Sequence, residues 1–203
     1  MGDGKQDVYI IDDTVSVRGS LEALFRSVGL NVETFASAKD FLDRADLKRC
    51  ACILLDIRLP GFTGLQLLER LNRDGNRIPV IMMTAFADVP SVVQSFQNGA
   101  FDFFEKPISD QILLDCVQEA IRNESKRRNK EEELEIHRAR FRQLTERESD
   151  VMKLIVRGDS TAEIAKKLGL SEKTVEVHRS KVMAKTKANS LADLVRSAVM
   201  TGN

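Results

Sequence analysis

The chain has 203 residues, is 42% hydrophobic and 31% charged, and balances 31 Lys and Arg against 31 Asp and Glu. Such a length holds one large domain or two small ones, and the composition suits a core-forming protein rather than a disordered or fibrous one. No apolar run approaches the roughly 18 residues of a membrane span, and the opening Met-Gly-Asp-Gly-Lys-Gln-Asp lacks a signal-peptide pattern, so a cytoplasmic protein without a membrane partner is expected.

The zero net charge conceals a division. Residues 1–121 carry 12 Lys and Arg against 18 Asp and Glu, whereas residues 122–203 carry 19 against 13. An acidic half joined to a basic half points to two domains with different partners, the second a polyanion. Cys50, Cys52 and Cys116 are odd in number and read as reduced, buried thiols. With only His137 and His178 to complete a site, zinc ligation by these cysteines is set aside.

In chain order, the acidic half alternates short apolar runs with amphipathic ones. Val8–Ile11 reads as a strand ending at Asp12-Asp13, followed by a helical pattern over Val15–Val28 that stops at Gly29. Val32–Phe35 is a second strand, after which Ser37 caps a helix expected to run to about Leu47. The third strand, Cys52–Leu55, is continuously apolar and runs into Asp56 and a Pro60-Gly61 turn before a helix over Leu65–Leu71. Unbroken apolarity over so few residues marks a strand buried on both faces, as in a parallel sheet between helices. Pro79–Met83 ends in Thr84 and precedes a helix from about Val89 to Gln97; Phe101–Phe104 ends in Glu105-Lys106-Pro107; a last helix begins near Asp110. This is a (βα)₅ pattern with right-handed crossovers.

From about Arg122 to Arg140 the apolar stripe almost vanishes, while Pro and Gly are absent and strong helix formers dominate. A polar helix bridging two domains is expected, with a charged disordered tether as the alternative. Thr145-Glu-Arg-Glu148 and Ser160-Thr-Ala-Glu163 then have capping-box form, and Ser190 opens a related start with Asp193. Helices are expected near 146–157, 161–168, 172–186 and 191–200. Each is too short to stand alone, so they pack together. The pair around Gly169 reads as a helix-turn-helix.

In a sheet ordered 2-1-3-4-5, strands one and three meet at the topological switch point, where ligands bind outside the strands' carboxyl ends. Asp12, Asp13 and Asp56 then converge, with Thr84 and Lys106 ending the neighbouring strands. Carboxylates this close raise one another's pKa unless a cation compensates, and a hard divalent ion held by carboxylates, water and phosphate oxygens describes magnesium. With a lysine and a hydroxyl alongside, the set suits a carboxylate nucleophile attacking phosphorus.

These residues carry a resemblance. Asp12-Asp13, Asp56, Thr84-Ala85 and Lys106-Pro107 resemble the motif of the receiver domain of two-component response regulators, which implies a flavodoxin-like, doubly wound domain over about residues 1–121. The resemblance implies that Asp56 accepts a phosphoryl group from the phosphohistidine of a sensor histidine kinase. It further implies that Asp13, Asp56 and the Arg58 main-chain carbonyl bind magnesium, with Asp12 acting through water. Thr84, Ala85 and Lys106 would contact the phosphoryl group, Thr84 and Phe103 would act as the switch pair, and the Lys106-Pro107 bond would be cis.

Residues 122–141 would then be the helical linker and residues 142–203 an all-α output domain. Leu144-Thr-Glu-Arg-Glu148, Ile164-Ala165-Lys-Lys-Leu168 and Thr174-Val-Glu-Val-His178-Arg resemble the LuxR-type helix-turn-helix domain of the FixJ/NarL branch. By that resemblance Glu176, Val177 and Ser180 face base edges, while Thr174, His178, Arg179 and Lys181 contact phosphates. Lys185 lies on the same helix, and Val175, Val182 and Met183 face inward. Glu176 is acidic where some relatives place Lys, so their base preferences do not transfer. The last helix is either a dimerisation element or intradomain packing. The whole reads as a phosphorylation-dependent transcriptional regulator, expected to activate, with promoter DNA, RNA polymerase and a second copy of itself as partners. A haloacid-type phosphatase, which wants an Asp-x-Asp motif where Asp56-Ile-Arg58 stands, and a binding module that never takes phosphate are the rivals; a Walker-type kinase lacks its glycine-rich loop.

Overall fold

The computed structural model describes residues 7–202. Residues 1–6 and 203, which include most of the opening segment and the outer limits of the expected domains, lie outside the described residues. Five strands, β1 (Asp7–Ile11), β2 (Asn31–Phe35), β3 (Cys50–Asp56), β4 (Val80–Thr84) and β5 (Asp102–Glu105), form one sheet ordered β2-β1-β3-β4-β5 with every pairing parallel. The helices between and after them are α1 (Val15–Ser27), α2 (Ala38–Arg44), α3 (Gly64–Arg73), α4 (Val89–Gln97) and α5 (Asp110–Phe141). Every residue of β1, β3 and β4 is buried, which is why their sequences are unbroken apolar runs instead of alternating ones.

Two cores flank the sheet because successive side chains point to opposite faces. Tyr9, Ile11, Phe35, Phe41, Ile53, Leu55, Leu67 and Met82 fill one, and Val8, Ile10, Phe25, Leu54, Ile81, Leu113 and Val117 the other. Tyr9, Phe35 and Phe41 meet edge to face with ring centroids 5.3–6.4 Å apart. The helix α2 stops three residues before the expected Leu47. Ala45 turns to an extended conformation, and the Tyr9 hydroxyl donates to the Asp46 carbonyl at 2.9 Å, fixing the chain outside the helix.

The charged stretch is helical. Residues 110–141 form one 32-residue helix whose buried positions, Leu113, Val117, Ala120, Ile121 and Glu124, lie at helical spacing and end at Glu124. The chain divides into two compact units at Arg127 and Arg128, within this helix. The second unit carries α6 (Glu146–Val156), α7 (Thr161–Leu168), α8 (Glu172–Thr186) and α9 (Leu191–Thr201). Both anticipated capping boxes are formed in full, at Thr145/Glu148 and Ser160/Glu163. Gly169 ends α7 at φ 65°, a left-handed conformation that glycine adopts without penalty, and this sets the turn into α8. Val151, Met152, Ile155, Ile164, Val175, Val182 and Leu194 make the core of this unit. Among the described residues no helix is long and apolar enough to cross a membrane, and none of the three cysteines forms a disulfide.

Candidate functional sites: a strand-end acid cluster and a basic helix

The acid cluster lies where β1, β3 and β5 end. Asp12, which follows β1, is fully buried, and Asp56, the last residue of β3, is 5% exposed. Lys106 follows β5, and its Nζ donates to Asp12 Oδ2 and to Asp56 Oδ1, each at 2.6 Å. The second oxygen of Asp56 accepts the Arg58 main-chain N–H at 2.8 Å, and Asp12 Oδ1 accepts that of Thr14 at 2.9 Å. Each carboxylate is thus aimed by a backbone donor two residues on. The Lys106-Pro107 peptide bond is cis.

Burial is the first cause of a raised Asp56 pKa; the Lys106 hydrogen bond opposes it, and the charge of Asp12 adds to it. Desolvation therefore outweighs the carboxylate repulsion on which the sequence argument rested. For Lys106, burial works against the ammonium, but its bonds to Asp12 and Asp56 prevail and its pKa is raised.

The structure gathers Asp12, Asp56 and Lys106 directly. Asp13 is exposed and accepts the Thr14 hydroxyl at 3.1 Å. Thr84 is buried at the end of β4, and its hydroxyl is engaged by Phe86: it donates to the Phe86 carbonyl at 3.1 Å and accepts the Phe86 N–H at 3.3 Å. Ala85 is exposed, and Phe103 packs half-buried against the core that holds Met82 and Leu59.

Three features of the site escaped the sequence reading. Gly64, at the start of α3, lies so close to β3 that a Cβ there would fall 2.0 Å from the Asp56 carbonyl oxygen, so only glycine lets α3 begin this close to Asp56. Glu105 Oε1 accepts the Ala87 N–H at 3.0 Å, tying the β4–α4 loop to β5. The Arg58 guanidinium sits 5.5 Å from the centre of the Phe86 ring, joining the loop after β3 to the loop after β4. A glycine three residues beyond Pro60-Gly61 was visible in the sequence; the other two contacts had no local signal.

Two carboxylates already share one cation, Lys106, while Asp13, next in the chain to Asp12, is exposed. Among the described residues no three His, Cys, Asp or Glu side chains are grouped as a complete ligand set. A hard cation that takes one or two carboxylates and keeps several waters asks no more of the protein than Asp12 and Asp56 offer.

In the second unit α8 turns Val175 and Val182 wholly into the core, with Met183 partly buried, as expected. Glu176, Val177, Ser180 and Lys181 are exposed, and Thr174, His178 and Arg179 are half-buried. Lys185 is not part of this outward set. Its Nζ donates to Glu148 Oε2 at 2.6 Å, and Glu148 also accepts the Thr145 N–H at 2.8 Å. These contacts, Lys185 first, lower the Glu148 pKa from 4.5 to about 2.

A parallel sheet with acids and a lysine at its strand ends, followed by a four-helix unit with a helix-turn-helix, defines a signal-receiving protein that binds DNA. Residues 8–118 match the family described as response regulator receiver domain, and residues 142–198 that described as bacterial regulatory proteins, luxR family. Nodulation protein W of Bradyrhizobium diazoefficiens is 41% identical over 98% of this chain and 87% of its own. The C4-dicarboxylate transport transcriptional regulatory protein DctR of Rhodobacter capsulatus is 43% identical over 93% of this chain and 97% of its own. Among solved structures, the response regulator StyR is 38% identical and superposes with a TM-score of 0.90, covering 96% of this chain and 98% of that one. The chain belongs to the response regulator family, in the branch with a LuxR-type output domain. It is a phosphorylation-dependent, DNA-binding transcriptional regulator of a two-component system.

Proposed function

We propose that Asp56 is the phosphoacceptor, taking its phosphoryl group from the phosphohistidine of a sensor kinase. The observation that carries this is the contact of Lys106 Nζ with both Asp12 and Asp56 at 2.6 Å, at the carboxyl ends of the strands. A bond forms between an Asp56 carboxylate oxygen and phosphorus while the phosphorus–nitrogen bond breaks; the imidazole keeps the electron pair and is protonated. Arg58 N–H holds one Asp56 oxygen, and Lys106 supplies positive charge for the oxyanions that develop. Thr84 would exchange its bond to Phe86 for one to the phosphoryl group, with the Ala85 backbone alongside and Phe103 as its switch partner. Asp13, Asp56 and the Arg58 main-chain carbonyl would hold magnesium, with Asp12 acting through water; once bound, the ion neutralises phosphoryl charge.

Activation would pair two copies through α4 and β5. In support, Val89, Val93 and Phe96 form an exposed apolar stripe at helical spacing on α4, with Phe86 beside its start. The dimer would place α8 in the major groove of promoter DNA. Glu176, Val177 and Ser180 would meet base edges, and Thr174, His178, Arg179 and Lys181 phosphates. The outcome would be activation through RNA polymerase, in the cytoplasm, by a protein that is no enzyme beyond its own phosphoryl transfer and loss. Incubation with magnesium and acetyl phosphate, read promptly by intact mass, tests the assignment. The wild type gains one phosphoryl group and Asp56→Asn none; equal gain in both would overturn it.

A further inference from the structure

Helix α8 ends on a residue that its backbone does not favour. Lys187, its C-cap, has φ 55° and ψ 30°, and among the described residues it is the one non-glycine residue in the left-handed region. The caps of α7 and α9, Gly169 and Gly202, meet the same demand with glycine. The turn itself is fixed. The Lys187 N–H donates to the Ala184 carbonyl at 3.3 Å, the Ala188 N–H donates to the Met183 carbonyl at 3.2 Å, and Ala188 packs against the core of the unit. A Cβ is at a disadvantage in this conformation, so glycine would serve the turn better than lysine. A residue held there points to a use for its side chain.

Lys187 is exposed, and among the described residues nothing pairs with its ammonium, whereas Lys185, just before it, is taken by Glu148. It also lies on the outward face. Glu176, Ser180 and Ala184 are exposed a helical turn apart along α8, and Lys187 follows a turn later. With 15 residues, α8 is about 22 Å long, against a major groove about 12 Å wide. When the N-terminal part of such a helix lies deepest in the groove, its C-terminal end reaches the phosphates that border it.

We propose that Lys187 contacts a DNA phosphate at the edge of the major groove, and that its left-handed backbone is kept for this contact. This rests on the reading of α8 as the helix that enters the groove. The contact extends the phosphate-binding set past the end of α8, into the turn that leads to α9. Phosphate contacts orient a protein without reading bases, so a cation at the far end of the outward face sets the angle at which Glu176 and Ser180 approach the base edges. The competing explanation is the helix dipole, whose negative end a lysine complements without any DNA.

Binding of the full chain to a duplex that the wild type selects from a randomised library, measured over a series of salt concentrations, separates the two when melting curves are taken alongside. Lys187→Gly and Lys187→Asn each flatten the plot of log K against log salt by about 0.9, the effect of one lost phosphate charge, and weaken binding to all sequences alike. Lys187→Arg keeps the wild-type slope. Lys187→Gly melts no lower than the wild type, because the left-handed penalty goes with the side chain, so its weaker binding is not a loss of folding. Arg179→Gln, within α8, flattens the slope by the same amount as the Lys187 variants. An unchanged slope in both neutral Lys187 variants, with that of Arg179→Gln flattened, would overturn the proposal; a lower melting temperature of Lys187→Gly in that case would assign the lysine to the dipole. Unchanged slopes in all of these variants, with binding retained, would instead overturn the placing of α8 on DNA, so the two failures are distinguishable.

Discussion

Asp56 in the first unit and Glu148 in the second are buried carboxylates held by a lysine at the same distance, and the two behave in opposite ways. Lys106 Nζ lies 2.6 Å from Asp56, and Lys185 Nζ 2.6 Å from Glu148. The pKa of Asp56 is raised, yet that of Glu148 falls to about 2. What separates them is the rest of their surroundings. Glu148 adds a backbone donor from Thr145 to its lysine and has that lysine to itself, joining the start of α6 to the end of α8. Asp56 must share Lys106 with Asp12, and burial acts on it more strongly than either of its hydrogen bonds. One carboxylate is fully compensated and serves as a staple. The other is left short of positive charge, which is the condition a cation or an electrophilic phosphoryl group relieves. Ion-pair distance alone would have called both pairs structural; the second acid decides.

Removing the lysines breaks the comparison most sharply. Lys106→Met leaves Asp12 and Asp56 buried without a counter-charge, and losing one partner of a buried pair costs about 3–5 kcal/mol. Lys185→Met costs less, because Glu148 keeps the Thr145 N–H. Chemical denaturation of both variants checks the order. Magnesium should then recover stability in Lys106→Met, as a ligand of the folded state alone does, and leave Lys185→Met no better off than the wild type. Equal losses in both variants would mean that sharing with Asp12 has no energetic weight.

Isosteric amides sharpen the same contrast with a smaller effect of opposite sign. Without magnesium, Asp56→Asn raises the melting temperature, since it removes an anion that the folded state holds at a disadvantage, whereas Glu148→Gln lowers it. A gain in stability on losing the Asp56 charge is what a functional site held against its own stability produces. A fall in both variants would make Asp56 a staple too.

How much of this was legible beforehand differs between local and distant contacts. The unbroken apolar runs of β1, β3 and β4 identify a parallel sheet with both faces covered, and the sheet order places Asp12 and Asp56 side by side. Capping boxes at Thr145 and Ser160 are complete within four residues, so they read directly from the chain. Lys185 was counted with the basic residues of α8 because its neighbour across the fold, Glu148, is 37 positions away and leaves no trace in helical periodicity. The end of α2 shares this limit, since the chain just beyond it is held at the Asp46 carbonyl by the hydroxyl of Tyr9 on β1, 37 positions away. Thr84 was placed correctly at the end of β4, but which way a hydroxyl rotates depends on the loop that follows, and here Phe86 takes it.

The finest test of the contrast is acid. Glu148 has a folded-state pKa near 2, below its ordinary 4.5, so its stabilisation is fully present above about pH 4.5 and drains away as pH falls toward 2. Asp56 has a folded-state pKa above its ordinary 3.8, so the folded state binds its proton more tightly than the unfolded chain does, and the receiver loses stability as pH rises from 3.8 through that raised value. Measured as differences from the wild type, the advantage of Asp56→Asn therefore disappears once pH drops below 3.8, where the carboxyl is protonated in both states. The penalty of Glu148→Gln outlasts it, remaining nearly whole at pH 4.5 and vanishing only near pH 2. Melting curves of the three proteins from neutral pH to about pH 3 follow both differences in one experiment. If the Glu148→Gln penalty were already gone at pH 4.5, the lysine and the Thr145 N–H would not be holding Glu148 ionised. If the Asp56→Asn advantage persisted unchanged to pH 3, its source would be packing rather than the charge of Asp56.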